Sequence, residues 1–130
     1  MKDLCLAYHD ERRFDGPSKS EADAVVSECP PYDASLRSGG HLVAQASLPP
    51  VASSITTRPR NGKARATEGP FAGTEEQVGG FFILEARDLN EAIRVASKHP
   101  APLVGEHVAW GIEVRSIGMF EQPQQESMLR

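Results

Sequence analysis

The alternation of apolar and polar residues predicts four strands. Residues 4–8 are apolar at both alternating sets of positions, which is typical of a strand covered on both faces. Residues 42–48 alternate and end at two prolines, and residues 81–86 (FFILEA) have the strongest strand character of the chain. Residues 108–117 alternate again. These separated segments predict a single sheet.

A first helical region is predicted between the first two strands, over residues 20–38. Pro30 and Pro31 interrupt it, because proline lacks the amide hydrogen that a helix interior needs. Gly39 and Gly40 then end it, since glycine readily adopts the left-handed conformation that closes a helix. We therefore expect a broken first helix.

A second helix is predicted to begin at Asp88. The Asp88 carboxylate can accept from backbone amides of the first turn, and Glu91 three residues later can reach back, as in a capping box. Pro100 stops the helix. His99, just before it, is expected as a favourable positive charge at the helix C-terminus.

A hairpin is predicted between the second and third of these strands. Asn61 and Gly62 lie between two runs compatible with strands, residues 55–58 and 63–67. Asn-Gly is the strongest short hairpin signal, because a type I′ turn needs positive φ at both positions. Pro59 places its strand at an edge.

The order of elements is strand, helix, strand, hairpin, strand, helix, strand. With the hairpin as an insertion, this is the βαββαβ order of a ferredoxin-like α+β fold with one antiparallel sheet. Both helices would cover one face, which leaves apolar positions bare on the other. A second copy would cover them, so we expect a homodimer of the dimeric α+β barrel type. Residues 1–117 are predicted to form this domain and residues 118–130 a polar tail.

Length, charge and cysteine content exclude several classes of protein. The 130 residues suit one domain, and the net charge of −4 comes from 14 basic and 18 acidic residues scattered along the chain. Nucleic acid is therefore not expected as a partner, and no apolar run reaches the roughly 20 residues of a membrane span. Cys5 and Cys29 are expected to be reduced thiols in a cytoplasmic protein, since no signal peptide precedes them.

Cofactor and metal motifs are absent from the sequence. No His or Cys spacing typical of a metal site occurs, so we expect no dedicated metal site and no cofactor. The glycines around Gly69 do not suit a phosphate, because Glu75 and Glu76 follow and would repel it.

Two residues are candidates for proton transfer. Glu68 begins a sharp Glu-Gly-Pro-Phe turn and could act as a general acid or base if burial raises its pKa; alternatively, the turn is structural and Phe71 packs in the core. His9 ends the first strand and could act as a base near neutral pH; alternatively, it lies at a solvated strand end. Trp110 is expected across the dimer face, or else in a ligand cavity. The residues expected to contact a substrate are Tyr8, Asp10, Phe71 and Glu75.

Three motifs carry a family resemblance. EGPFA at residues 68–72, EEQVGGF at 75–81 and ARDLNEA at 86–92 resemble the YCII-related, or DGPF-domain, proteins, and the resemblance extends over most of the chain. It implies a dimeric α+β fold with an active-site cleft. One relative dehalogenates a chlorinated muconolactone, and some DGPF proteins are encoded beside extracytoplasmic-function sigma factors.

The chain departs from the family pattern at three places. Glu68 replaces the usual aspartate, and Pro30 and Pro31 interrupt a helix that the family keeps whole. One branch carries the histidine of a His–Asp pair in its first helix, but residues 20–38 contain no histidine. That pair therefore does not transfer to this chain.

Two functional interpretations follow. The first is a small-molecule enzyme or binder of the YCII-related type, with a site at the dimer cleft and lyase- or dehalogenase-like proton transfer by Glu68 or His9. Such chemistry needs no cofactor. The alternative is a non-catalytic regulatory or interaction protein, associated with a sigma factor, in which the hairpin and the tail contact the partner.

Overall fold

The computed structural model describes residues 1–14, 19–106 and 109–123. Its strands are β1 (Lys2–Asp10), β2 (Leu42–Ser47), β3 (Ile55–Arg60), β4 (Lys63–Glu68), β5 (Glu76–Glu85) and β6 (Gly111–Ser116). Its helices are α1 (Lys19–Val26), α2 (Cys29–Ser38), α3 (Leu89–Ala96) and α4 (Pro100–Val104). Val108, predicted as the start of the last strand, and the tail after residue 123 lie outside the described residues.

Four strands form one antiparallel sheet in the order β2-β5-β1-β6. The two longest strands, β1 and β5, are therefore central, and each helical region crosses from one strand to another that is not its immediate neighbour. The predicted α+β chain with an antiparallel sheet is confirmed, and this strand order is compatible with the ferredoxin-like plan.

The core lies between the helices and one face of the sheet. Its buried cluster consists of Cys5, Tyr32, Leu36, Phe82, Leu84 and Ala96. On β1 the alternate residues Leu4 and Leu6 point to the opposite face and stay half-buried, as does Ile83, which pairs with Leu4. Within the described ranges, the sheet therefore has one face covered by helices and one apolar face without helices.

A β-bulge interrupts the pairing of β1 and β5. Ala7 pairs with Gly80 and Tyr8 pairs with Val78, which leaves Gly79 as the extra residue. A bulge bends the strand and re-aims the side chains beside it.

The hairpin of β3 and β4 forms a separate two-stranded sheet. Asn61 and Gly62 have φ of 52° and 76°, which confirms the turn with two positive φ angles. Pro59 pairs with Ala64 inside this small sheet, where both strands are edges. The hairpin is an arm outside the main sheet.

The first helical region is broken, as predicted, but the break precedes the prolines. Pro30 and Pro31 occupy the first turn of α2, where a missing amide hydrogen costs no helical hydrogen bond. Gly40, with φ of 75°, follows the end of α2.

The start of α3 is as predicted from the sequence, whereas its end differs from the prediction. Asp88 Oδ1 accepts from the Glu91 amide at 2.8 Å, and Glu91 reaches back to the Arg87 amide at 3.0 Å. The helix ends at Ala96, and His99 belongs to the N-terminus of α4. Within the described ranges, none of the helices has the length and apolar character needed to cross a membrane.

Candidate active-site cleft

A cleft of about 630 Å³ opens between the helix-covered face of the sheet and the helices of the same chain. Its volume falls within the range usual for small-molecule sites. The residues that line it are Ala7, His9, Val26, Cys29, Asp33, Gln45, Ala46, Ser47, Gly79, Gly80, Phe81, Phe82, His99 and Trp110.

Aromatic rings form one wall of the cleft around His99. The His99 ring is nearly parallel to Phe82, with centroids 5.6 Å apart and an interplanar angle of 9°. Tyr32 and Trp110 meet the same imidazole edge-on, at centroid distances of 5.0 and 5.5 Å. Tyr32 is anchored by its hydroxyl, which donates to the Val95 carbonyl at 2.9 Å. Such packing fixes the orientation of the imidazole.

His99 is held as a neutral imidazole. Only 6 % of it is exposed, and burial lowers its pKa to about 4. Its Nδ1 accepts from the Ala101 amide at 3.0 Å, which leaves the proton of the neutral ring on Nε2. The prediction of a positive charge at a helix C-terminus is wrong for His99, because burial among aromatic rings disfavours the charged form.

His9 lines the cleft from the end of β1. Its ring lies against Gly79 so closely that a β-carbon at position 79 would overlap the imidazole. Burial lowers the pKa of His9, and the nearby carboxylates of Glu11 and Asp10 only partly oppose this shift. The bulge at Gly79 therefore makes room for a half-buried imidazole.

Asp33 and Cys29 line the cleft from α2. Burial raises the pKa of Asp33, against the opposing effect of Arg37. Burial, assisted by Asp33 and Glu28, also raises the pKa of Cys29 to about 11. The Cys29 thiol thus stays protonated at neutral pH and is a poor nucleophile.

Uncharged polar groups complete the lining. Gln45 and Ser47 contribute from β2, on the far edge of the sheet. Among the described residues that line the cleft, none is lysine or arginine. Within the described part of the chain, histidine, cysteine and carboxylate side chains do not converge in a group of three that could hold a metal ion.

Asp10 lies in a structural ion pair instead of in the cleft. Its carboxylate is 3 % exposed and accepts from Arg12 at 3.0 and 2.8 Å, with Arg13 at 3.7 Å. The hydrogen bonds from Arg12 hold the pKa of Asp10 at about 2. Arg12 also reaches Glu75 at 3.4 Å. Asp10 and Glu75 therefore hold the turn after β1.

Tyr8 belongs to the other face of the sheet. Its hydroxyl donates to Glu113 Oε1 at 3.1 Å, a cross-strand contact between β1 and β6. Burial and this hydrogen bond raise the pKa of Tyr8.

The Glu-Gly-Pro-Phe motif begins at the last residue of β4, at the end of the hairpin opposite its Asn61-Gly62 turn. Glu68 is exposed and pairs with Ile55, and Gly69 has φ of 106°. Phe71 is 68 % exposed and lies under the Arg58 guanidinium, 3.8 Å from the ring centroid. The expectation that Phe71 packs in the core is therefore wrong. Of the predicted site residues, His9 lines the cleft, and the structure places Glu68, Tyr8, Asp10, Phe71 and Glu75 outside its lining.

Sequence reasoning missed Asp33, assigned His99 to a helix C-terminus, and left Trp110 open between the dimer face and a ligand cavity. Asp33 follows a double proline with no local motif to mark it. His99-Pro100 is a detectable signal, because a histidine before proline suits a helix N-cap as well as a C-terminus. Trp110 precedes β6 and turns into the cleft rather than onto the bare face of the sheet.

Comparison with known proteins gives a family. Residues 1–114 match the model of the YCII-related domain. An uncharacterised protein of Rhizobium meliloti (strain 1021) is 29 % identical over 118 residues, covering 89 % of this chain and 91 % of the relative. The match includes β1, the cleft residues, the hairpin and most of β6. The chain belongs to the YCII-related domain family.

Proposed function

We propose that the cleft binds a small, uncharged, planar molecule and moves a proton on it. The observation that carries this proposal is that His9 and Asp33, both with burial-shifted pKa values, line the same aromatic-walled cleft. Perturbed titratable groups in a cleft are a recognised mark of a functional site.

The lining favours a neutral ring compound. Phe82 and Trp110 supply flat apolar surface, and Gln45, Ser47 and the Nε2 proton of His99 supply uncharged hydrogen-bonding groups. The described lining offers no cation for a carboxylate or phosphate. Unsaturated lactones, cyclic enones and phenols have the matching chemistry.

The shifted pKa values support proton transfer. Burial lowers the pKa of His9 and raises that of Asp33, so the two values move towards each other. Moving a proton from one group to the other through a bound molecule then costs less. In an elimination, His9 takes a proton from a carbon atom of the bound molecule. The electron pair of the broken C–H bond forms the new double bond, and the leaving group departs with the electron pair of its own bond to carbon. The raised pKa of Asp33 favours its acid form, which would give a proton to a basic leaving group, whereas a halide departs without one.

The bare face of the sheet supports a separate proposal, that two copies pair through it as a dimeric α+β barrel. Leu4, Leu6 and Ile83 would be buried by such pairing. The cleft lies on the other side of the sheet, so the proposed site does not need the partner copy. This differs from the dimer-cleft site expected from the sequence.

Deuterium exchange tests the chemistry. Unsaturated lactones and cyclic enones are incubated with the protein in D₂O, and incorporation at carbon is followed by ¹H NMR. We expect exchange above the buffer rate, lost in His9→Gln and kept in Glu113→Gln, which changes a carboxylate on the opposite face. Exchange that survives in His9→Gln, or no exchange with any compound, would refute proton transfer.

A further inference from the structure

The hairpin carries a basic face made of Arg58, Arg60, Lys63 and Arg65. Arg58 pairs with Arg65 and Arg60 with Lys63, and side chains directly opposite in an antiparallel pair share a face. Residues two apart on a strand also share a face, so all four cations point the same way. Opposite positions lie about 5 Å apart and successive ones about 6.6 Å apart.

The basic face has no carboxylate partner within the described residues. None of the ion pairs found there includes Arg58, Arg60, Lys63 or Arg65. Glu68, the acidic residue of the hairpin, pairs with Ile55 and thus lies on the other face. Like charges directly opposite each other destabilise a strand pair, so a bound anion would stabilise this one.

Part of the basic face is held in place by the family motif. Arg58 stacks on the Phe71 ring and donates from Nη2 to the Phe71 carbonyl at 2.9 Å. Both contacts leave the positive charge without a counter-ion. The Glu-Gly-Pro-Phe segment therefore positions an arginine on the hairpin.

A groove of about 370 Å³ runs along this face, lined by Arg58, Pro59, Arg60, Arg65 and Thr67. It shares no lining residue with the active-site cleft. Guanidinium groups match the paired oxygens of phosphate geometrically, and three arginines line this groove.

Charge distribution favours a compact anion over an extended one. The hairpin holds four of the 14 basic residues and one of the 18 acidic ones, so it carries +3, whereas the rest of the chain carries −7. A nucleic acid that extends past the hairpin would meet this acidic body and be repelled. A diphosphate spans only the basic face.

We infer that the basic face of the hairpin binds a diphosphate group, either free pyrophosphate or the diphosphate of a nucleotide. Two phosphates fit between the two cross-strand cation pairs, with Arg60 and Arg65 donating from both strands. The site is independent of the cleft and of the function proposed for it.

Isothermal titration calorimetry at low ionic strength tests this inference with sodium pyrophosphate and a nucleoside diphosphate. We expect one saturable site, weakened about tenfold in the Arg60→Gln/Arg65→Gln double variant. Lys98→Gln/Arg115→Gln removes the same charge elsewhere and should change affinity less than twofold. Tighter binding of the nucleotide would identify it as the source of the diphosphate; equal binding would identify pyrophosphate alone as sufficient.

Three results would overturn the inference. One is no saturable heat with either compound. Another is equal weakening in the hairpin and control variants, which means an adventitious ion only. The third is a single-stranded oligonucleotide that binds more tightly than pyrophosphate and loses binding in the hairpin variant, which means a nucleic-acid surface.

The hairpin variant itself should unfold at a slightly higher temperature without ligand, because like-charge repulsion is removed.

Discussion

The imidazole of His99 stacks on the ring of Phe82, 5.6 Å apart and within 9° of parallel. This contact joins the N-terminus of α4 to the central strand β5 and forms part of a wall of the cleft. It also excludes water from a titratable group, which links the stability of the fold to pH.

We predict that His99 makes the protein less stable in mild acid. Its pKa is about 4 in the folded state against about 6.5 in an unfolded chain. Between these two pH values the imidazole binds a proton in the unfolded chain but not in the folded protein. The stability contribution of neutral His99 is therefore fully present above pH 6.5 and is lost as the pH falls towards 4. We expect a loss of about 2 kcal/mol between pH 7 and pH 5 from this residue, measured by urea unfolding.

His99→Asn provides the comparison. Asparagine can still cap α4 through its side-chain oxygen but does not titrate. The difference in unfolding free energy between wild type and variant should therefore shrink as the pH falls from 7 to 5. Parallel profiles for the two proteins would refute the assignment.

We predict that Gly79→Ala displaces His9 while the sheet persists. The new methyl would overlap the end of the His9 side chain, which can rotate away. Once displaced into water, His9 should show a higher pKa, because the burial that lowers it is lost. NMR titration of the imidazole protons measures this, with Gly118→Ala, where the space is open, as control. An unchanged His9 titration in Gly79→Ala would contradict the packing described.

We predict that Gly69→Ala destabilises the hairpin by about 1–3 kcal/mol through backbone strain. A β-carbon at position 69 would meet no neighbouring atom, so the φ of 106° is the sole obstacle. Amide hydrogen exchange of β3 and β4 reports the effect. Gly73→Ala, also in open space but without positive φ, should leave exchange unchanged. Equal amide exchange of β3 and β4 in the two variants would contradict the prediction that alanine at position 69 strains the backbone.

We predict that Asp88→Ala lowers the unfolding free energy by about 1 kcal/mol. The variant removes the acceptor of the Glu91 amide at the start of α3. Asn90→Ala, two residues later and exposed, should be neutral. Denaturant unfolding that gave the same value for both variants would show that the cap is dispensable.

The sequence predicted the elements better than the site, because local signals determine the elements. Asn61-Gly62 and Asp88 act within a few residues of themselves, and the apolar runs of β1 and β5 mark these two segments directly as strands. The cleft depends on contacts between distant segments. Asp33 and Trp110, far apart in the sequence, line the same cleft.

A local motif does not by itself show where its side chains lie in the fold. Glu68-Gly69-Pro70-Phe71 looks like an active-site loop, but its geometry serves the hairpin: Gly69 supplies a positive φ and Phe71 supports Arg58. His99 was misassigned for the reverse reason, because a histidine before proline suits either end of a helix and only burial decides between them.

Ligand occupancy of the cleft is tested most directly by the fluorescence of Trp110, the only tryptophan of the chain. Unsaturated lactones, cyclic enones and phenols are titrated into wild type, Asp33→Asn and Glu113→Gln. The cleft proposal predicts a saturable change in emission with at least one neutral ring compound, weakened in Asp33→Asn and unchanged in Glu113→Gln. No saturable change with any of these compounds, or an equal change in all three proteins, would contradict it.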